Sequence, residues 1–236
     1  MKAKRCIPTL LPALVETEEQ EQMTTECRKS LISLDHCIKI TEDRQRYETA
    51  VAGVWDNFIQ AQLQNDDWDY LLITANDTIA DPMAIDHMAK FLDENLNVGM
   101  VTGKVERNLE KFKQGFGQQE YTNKRTPTYH GLDPACFMLR REAIEMVGHI
   151  DQEFPREFVE RDLIRRFNLA GWEVSQPDIV LWYHPPYAGT IGNDGARLQR
   201  ALAKYLAKWG GDAGRERYQW PYNNIGLDFT FTGQYK

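Results

Sequence analysis

The 236-residue sequence lacks several patterns that would identify whole classes of protein. No apolar run approaches the roughly 20 residues that a membrane-spanning helix requires, so we expect no membrane span. No signal-type apolar segment follows the basic residues 1–5, which predicts a cytoplasmic protein. The cysteines show no C-x-x-C spacing, which argues against a zinc site or disulfide framework and favours small buried thiols; they are Cys6, Cys27, Cys37 and Cys136.

Positive charge is also in short supply. Lys and Arg number 28 against 35 Asp and Glu, so the formal net charge is −7. That balance disfavours tight non-specific binding to duplex DNA, which depends on neutralising phosphates, but it leaves room for a local basic groove. An apolar share of 42% supports a packed core. With no internal repeat or low-complexity linker, we predict one domain over residues 1–190 and a C-terminal helix and tail, 191–236, packed on it.

Strand-like and helix-like segments alternate along the chain. Tyr70–Thr74 is a short apolar run typical of a buried strand, and Val51–Leu63 carries apolar residues at helical spacing. The remaining predicted strands cover residues 5–9, 31–40, 98–102, 135–139 and 179–183, and the remaining helices cover 18–30, 82–92, 141–147, 157–169 and 197–209. The alternation predicts an α/β fold in which helices flank both faces of a mostly parallel sheet.

Polar side chains follow the strand Tyr70–Thr74 directly. Ligands of open α/β sheets bind beyond the carboxyl ends of the strands, so Asn76 and Asp77 are placed to meet one. A carboxylate there commonly holds a hard divalent cation, which in turn neutralises a diphosphate. Alternatively, both residues merely begin the turn before a helix that has Asp81 as its N-cap and Pro82 at its first position.

Two further polar features stand later in the chain. Glu160 and Asp162 open the predicted helix 157–169, and His184 ends the predicted strand 179–183. Each has a structural alternative. Glu160 could be an acid stabilised by the helix dipole, Asp162 could pair with an arginine one turn along, and His184 could be a capped histidine at a strand end.

Together these segments resemble the nucleotide-sugar glycosyltransferases of GT-A fold, in the large polysaccharide-building family that includes rhamnosyltransferases. Residues 134–151 resemble that family's strand, its Arg-Arg-Glu helix and its Val-Gly-x-aromatic-Asp turn. Residues 160–172 resemble its acidic helix ending in Ala-Gly-Trp, and residues 180–184 resemble its late strand ending in histidine.

The resemblance also covers the first third of the chain. Residues 53–57 are similar to the segment whose asparagine lies near the nucleotide, and residues 7–9 are similar to the first strand that opens the nucleotide pocket. Matching motifs occur in the same order and spacing over residues 4–186.

The resemblance implies a GT-A, Rossmann-like fold with a mostly parallel sheet and a C-terminal helical or irregular extension. It also implies a metal-dependent glycosyltransferase, with Mn²⁺ or Mg²⁺, that moves a sugar from a nucleotide-diphospho-sugar to an acceptor hydroxyl. The expected stereochemistry is inversion, although related folds with the same metal histidine retain configuration. The implied donor contacts are Pro8, Thr9, Asn57, Asn76 and Asp77.

The implied metal ligands are Asp77, as the single carboxylate where the family has two or more, and His184. The alignment places Glu160 where the family has its catalytic aspartate. Glu160 is therefore the expected general base, and Asp162 is the second catalytic candidate.

Two rival hypotheses follow from the departures. The single carboxylate and the Glu-for-Asp change suggest a non-catalytic module that binds a sugar nucleotide or a glycan. Alternatively, the enzyme acts on hydroxymethylated bases in DNA, with a basic channel formed by Lys104, Arg107, Lys111, Lys113, Lys124 and Arg125. The acceptor is thus a glycan, a protein or a modified nucleic acid. The irregular segment 107–131 is predicted to be a lid over the donor, with a solvated surface loop as its alternative.

Overall fold

A computed structural model describes residues 6–45, 51–127, 135–185 and 195–209 of the chain. In these residues the strands are Cys6–Leu14 (β1), Cys37–Gln45 (β2), Tyr70–Thr74 (β3), Ile79–Ala80 (β4), Val98–Val101 (β5), Lys104–Glu106 (β6), Arg125–Pro127 (β7), Cys136–Arg140 (β8), Glu173–Pro177 (β9) and Val180–Tyr183 (β10). The helices are Glu18–Ser30 (α1), Val51–Leu63 (α2), Ala84–Glu94 (α3), Leu109–Gly115 (α4), Arg141–Val147 (α5), Val159–Leu169 (α6) and Gly195–Trp209 (α7).

The central sheet has the strand order β2-β1-β3-β8-β5-β9-β7. Five of these strands run parallel to one another, and β8 and β7 run antiparallel to their neighbours. The prediction of a mostly parallel sheet is therefore confirmed. The antiparallel insertion of β8 between β3 and β5 was not predicted, because a buried apolar strand carries no signal of its direction.

Strand β3 shows how the core is divided between the two faces of the sheet. Alternate residues of a strand point to opposite faces. Leu71 and Ile73 pack into one apolar cluster with α2, α5, α6 and α7, whereas Tyr70 and Leu72 pack into a second cluster with α1 and α3. Helices therefore cover both faces, as the sequence predicts.

A small second sheet, of order β4-β10-β6, lies beyond the carboxyl ends of β3 and β5. Strand β4 follows the turn after β3, and β6 follows β5 after Gly103. A side chain at Gly103 would collide with Leu181 of β10, so the close approach of these strands requires glycine there. This sheet was not predicted, because its strands have two to four residues.

The N-terminal strands depart most from the prediction. β1 continues to Leu14 through Pro8 and Pro12, where the sequence suggested an end near residue 9. β2 begins at Cys37, and the preceding loop is instead held by Asp86 of α3, which accepts hydrogen bonds from the backbone N–H groups of Leu34 (2.8 Å) and of the next residue (3.3 Å).

The cysteines show mixed environments. Cys27 and Cys136 are buried, as expected of small structural thiols, but Cys37 is exposed and Cys6 is half-buried.

The C-terminal helix α7 packs against the main core through Tyr205 and Trp209, both less than 5% exposed. Of the predicted helix and tail, residues 191–236, the described part is 195–209. None of the helices in the described parts of the chain is long and apolar enough to span a bilayer.

Candidate active site

Asp77 and His184 lie side by side at the carboxyl edge of the central sheet. Nε2 of His184 is 3.3 Å from Oδ1 of Asp77. The pair forms because β10 runs antiparallel to β4 with Tyr183 opposite Ile79, so the next residue of β10 returns to the turn that carries Asp77. Asp77 is 7% exposed and the His184 side chain is 15% exposed. A nearly buried carboxylate thus borders the surface at the strand ends, where ligands of α/β sheets bind.

The turn before Asp77 is fastened to helix α1. Nδ2 of Asn76 donates to Oγ1 of Thr24 at 2.9 Å, and the hydroxyl of Thr78 donates to the carbonyl of Ala75 at 2.9 Å. The thiol of Cys27 donates to the same carbonyl at 3.3 Å. Burial raises the pKa of the Cys27 thiol to about 11, so it stays a neutral donor. These bonds fix the position of the loop that presents Asp77.

Arg107, predicted only as one residue of a basic channel, contacts His184. Its Nη1 lies 2.8 Å from Nδ1 of His184 and donates to the carbonyls of His184 (3.3 Å) and Pro185 (3.1 Å). The guanidinium of Arg107 can only donate, so Nδ1 of His184 must accept. If the ring is neutral, its one proton is then on Nε2, which faces Asp77. No local motif signals this contact, because pairing between β6 and β10 creates it.

Asp77 could bind a divalent cation even though the described part of the protein does not supply a full set of metal ligands around it. No cluster of three or more His, Cys, Asp or Glu side chains forms a possible metal site within the described ranges. Oδ1 of Asp77, however, is buried and makes no hydrogen bond of good geometry, although Nε2 of His184 faces it. Mg²⁺-type ions are commonly held by one or two carboxylates, with phosphates and water completing the shell. Asp77 therefore fits a cation that shares its ligands with a diphosphate, and Nε2 of His184 would join it as a ligand once the ring proton moves to Nδ1 and Arg107 turns away from that nitrogen.

Glu160 lies in the first turn of α6 and is half-buried. Because α6 leads into the parallel strand β9, the start of the helix lies at the same carboxyl edge as Asp77. The preceding loop is tied to the start of α2, where the N–H of Ala52 donates to the carbonyl of Pro155 at 3.0 Å. Phe158 enters the helix with φ +68°, a left-handed conformation that is rare for residues other than glycine and often occurs at functional sites.

Asp162 lies deeper than Glu160 and is 1% exposed. Its Oδ2 accepts from Nε of Arg166 at 2.8 Å, while its Oδ1 accepts from Nζ of Lys208 at 2.6 Å and from Nε1 of Trp209 at 2.9 Å. Both carboxylate oxygens are thus engaged by buried donors. This geometry fits the structural alternative, pairing with an arginine one turn along, better than proton transfer from a substrate.

Two other predicted donor contacts, Pro8 and Thr9, lie below the strand ends. Pro8 and Thr9 are buried within β1, and Thr9 stands opposite Leu72, before the end of β3. The hydroxyl of Thr9 donates to the carbonyl of Ile7 in the same strand at 3.2 Å. Asn57 is exposed on α2. The structure therefore brings Asp77 and His184 together, and it places Pro8 and Thr9 below the edge where a ligand would bind.

The segment predicted to be irregular, residues 107–131, contains a helix, α4, and a strand, β7, in its described part, residues 107–127. Its helix α4 is anchored by Phe112, which is buried and packs against Tyr183 with ring centroids 6.0 Å apart. The N–H of Gly117 donates to Oδ2 of Asp81 at 2.6 Å. A small cleft opens between α4 and the second sheet, lined by Asp81, Glu106, Lys111, Phe112, Gly115 and Gln119.

The proposed basic channel along this segment is partly neutralised. Lys104 forms an ion pair with Asp178, and Nζ of Lys113 lies 3.7 Å from Glu110. Residues 128–131 and the Arg125 side chain lie outside the described parts of the molecule. These contacts lend no support to a DNA acceptor.

Comparison with known proteins locates the fold. No family model matches the chain, and no curated protein matches it. The mannosyltransferase PcManGT from Pyrobaculum calidifontis, solved in complex with GDP-Man and Mn²⁺, is 13% identical with a TM-score of 0.53, covering 91% of this chain and 67% of that one. A mycobacterial protein is 16% identical with a TM-score of 0.53, covering 86% and 74%. TarS 1–349 from S. aureus is 12% identical with a TM-score of 0.49, covering 86% and 72%.

The structural neighbours include a glycosyltransferase, and the chain has the GT-A fold of the nucleotide-sugar glycosyltransferases. This confirms the fold that the sequence resemblance implied. At these identities the likeness concerns the fold, and activity has to be argued from the site.

Proposed function

We propose that the protein is a metal-dependent glycosyltransferase that moves a sugar from a nucleotide-diphospho-sugar to an acceptor hydroxyl. The observation that carries this proposal is the buried Asp77 facing His184 at the carboxyl edge of a GT-A sheet. The GDP-Man and Mn²⁺ bound by one structural neighbour support a nucleotide-sugar donor and manganese.

Asp77 and His184 would hold the cation, Mn²⁺ or Mg²⁺, which supplies Lewis-acid neutralisation of the leaving diphosphate when bound. Asn76 orders the turn beside it, through its bond to Thr24. Asn57 would contact the nucleotide from α2. Pro8 and Thr9 would act from within β1, by shaping the strand whose end borders the pocket.

Glu160 is the proposed general base. Its carboxylate takes the proton of the acceptor hydroxyl while that oxygen bonds to the anomeric carbon of the donor. The bond between the anomeric carbon and the diphosphate oxygen breaks, and the nucleoside diphosphate leaves with the electron pair. A single displacement of this kind inverts the anomeric centre. The dipole of α6 stabilises the ionised form of Glu160, because the residue lies in the first turn.

Asp162 was the second catalytic candidate, and its buried, fully engaged carboxylate suits a supporting role instead. The acceptor is proposed to reach the site past the cleft beside α4, where carboxylate, amine and amide side chains surround a buried aromatic ring. Sugar hydroxyls bind well to such polar groups.

The test is to incubate the protein with a panel of nucleotide-diphospho-sugars and Mn²⁺ and to measure nucleoside diphosphate release. Slow hydrolysis of one donor by the wild type, lost in Glu160→Gln, is the expected result. Tight binding of one donor without any turnover would favour the non-catalytic binding module. Neither binding nor turnover across the panel would overturn the proposal.

A further inference from the structure

We propose that the C-terminal helix α7 positions the base Glu160, with Asp162 and Lys208 as positioning residues that act through the first turn of α6. The inference rests on the proposed function for its catalytic consequence. Its structural part stands on contacts between α6, α7 and the loop that follows α5.

Two carboxylates and two cations meet under α7. Nζ of Lys208 contacts Oδ2 of Asp151 at 2.5 Å and Oδ1 of Asp162 at 2.6 Å. Arg166 binds the other oxygen of Asp162 and also donates to the carbonyl of His149 at 2.6 Å. The Asp162, Arg166 and Lys208 side chains are less than 5% exposed. Buried charges are costly unless they are paired. The ion pair between Lys208 and Asp162, whose other oxygen binds Arg166, therefore holds the end of α7 against α6.

The pKa of Asp151 agrees with this geometry. Burial alone would raise it, but the hydrogen bond from Lys208 and the positive charges of Lys208 and Arg166 outweigh burial and hold the pKa below its usual range. Asp151 is therefore ionised at neutral pH and contributes to holding Lys208.

A second contact reaches the residue that opens α6. The ring of Phe158 lies 5.2 Å from the ring of Tyr205 of α7. Phe158 holds the left-handed φ of +68° just before Val159 and Glu160. Such a conformation persists when the surrounding structure over-determines it, and here α7 supplies that support.

The geometry of helix α6 relates the position of Asp162 to the direction of Glu160. Each residue of an α-helix turns by about 100°, so residues two apart point to nearly opposite sides. Asp162 faces the core and α7, so Glu160 projects from the other side of the helix. Fixing the Asp162 side of the turn therefore fixes the direction in which Glu160 points. Small displacements of catalytic groups are costly, since about 1 Å can reduce the rate ~10²-fold.

The test compares Lys208→Met with Lys208→Arg in the full chain. Lys204→Met is the matched control, because it removes an exposed lysine from the same helix. We expect Lys208→Met to lower kcat by about tenfold to 10²-fold with the donor KM unchanged, Lys208→Arg to recover most of the rate, and Lys204→Met to behave as wild type. If Lys208→Met does not fold, Trp209→Phe decides, because it removes one hydrogen bond to Asp162 and keeps an aromatic ring and the charges of Lys208 and Arg166.

Hydrogen exchange measured by mass spectrometry gives a readout that needs no donor. Peptides spanning residues 155–163 should exchange faster in Lys208→Met than in Lys204→Met. Faster exchange without any wild-type turnover would mean that the proposed function fails while the positioning contact stands. Unchanged exchange, or a folded Lys208→Met or Trp209→Phe with unchanged kcat, would overturn the inference.

Discussion

The ring of His184 faces the carboxylate of Asp77, with 3.3 Å between Nε2 and Oδ1, and Arg107 holds the opposite ring nitrogen at 2.8 Å. Three residues from separate segments thus contact one another in succession at the carboxyl edge of the sheet. The carboxylate of Asp77 is buried, and Arg107 is exposed. A diphosphate with its cation would bind at Asp77, which makes that residue the first to test.

Replacing Asp77 should separate metal-dependent binding from folding. Asp77→Ala is expected to abolish binding of a nucleoside diphosphate in the presence of Mn²⁺, because it removes the single carboxylate of the turn. His184→Ala should weaken binding less. Isothermal titration with Mn²⁺ and with EDTA measures both, and Asp77→Asn serves as the near-isosteric comparison. Full turnover by Asp77→Ala in EDTA would contradict a metal mechanism.

Glu160 and Asp162 should respond differently to loss of charge. Glu160→Gln should lower transfer by about 10²–10⁴-fold while donor binding and the melting temperature stay unchanged. Asp162→Asn should destabilise the fold, by about 3–5 kcal/mol, because it leaves Lys208 and Arg166 without a buried partner of full charge. Steady-state kinetics and denaturant unfolding distinguish the two. Normal transfer by Glu160→Gln, together with loss in a stable Asp162→Asn, would make Asp162 the base.

The turn after α5 depends on glycine at position 148. Gly148 has φ +79° and ψ −148°, a region that side chains rarely adopt, and a methyl group there would meet no atom within 4 Å. Gly148→Ala should therefore cost about 1–3 kcal/mol through backbone strain alone. Gly53→Ala within α2 is the control, expected to be neutral or stabilising by up to ~1 kcal/mol. Equal unfolding free energies for both variants would refute this account of the turn.

His87 should make stability depend on pH. Burial lowers the pKa of His87, and the charge of Lys90 lowers it further. Together they outweigh the charges of Asp81 and Asp86, which raise it. The unfolded chain therefore takes up a proton more readily, so stability is complete above about pH 6.5 and falls as the pH drops below it. Denaturant midpoints at pH 7.5 and 5.5 should differ less for His87→Phe than for wild type. Identical pH dependence in the two proteins would count against the buried neutral histidine.

The segment 107–131 should respond to the donor if it acts as a lid. Nucleoside diphosphate with Mn²⁺ is expected to slow tryptic cleavage at Lys111, Lys113, Lys124 and Arg125, the first three of which are exposed. A nucleoside monophosphate is the control ligand. Cleavage that stays unchanged at saturating diphosphate would remove the donor-lid hypothesis and leave acceptor binding as the role of the segment.

Elements with strong local patterns were predictable from sequence. The bounds of Val51–Leu63, Tyr70–Thr74 and Arg141–Val147 agree with the structure, because apolar spacing or an apolar run marks each one. Strand β2 was misplaced because it is an edge strand in which only Ile38 and Ile40 show the apolar alternation, and the polar residues after them carry no such signal. Helix α4 was missed although Asn108 provides an N-cap signal, its side chain accepting from the N–H of Lys111.

Some features of the candidate site were predicted from the sequence, and others were not. Asp77 and His184 each follow an apolar strand, and the family resemblance implied that both would bind one metal; the structure brings the two side chains together. The contact of Arg107 with His184 and of Lys208 with Asp162 depends on how distant segments pair, which a single sequence does not contain.

The metal-dependent mechanism is tested most directly by the crystal structure of the protein with a nucleoside diphosphate and Mn²⁺. We expect density for the metal on Asp77, with the diphosphate beside it at the carboxyl edge of the sheet and the start of α6 facing the same pocket. Nucleotide bound elsewhere on the molecule, with Asp77 and His184 still in direct contact and no metal on either, would contradict that mechanism.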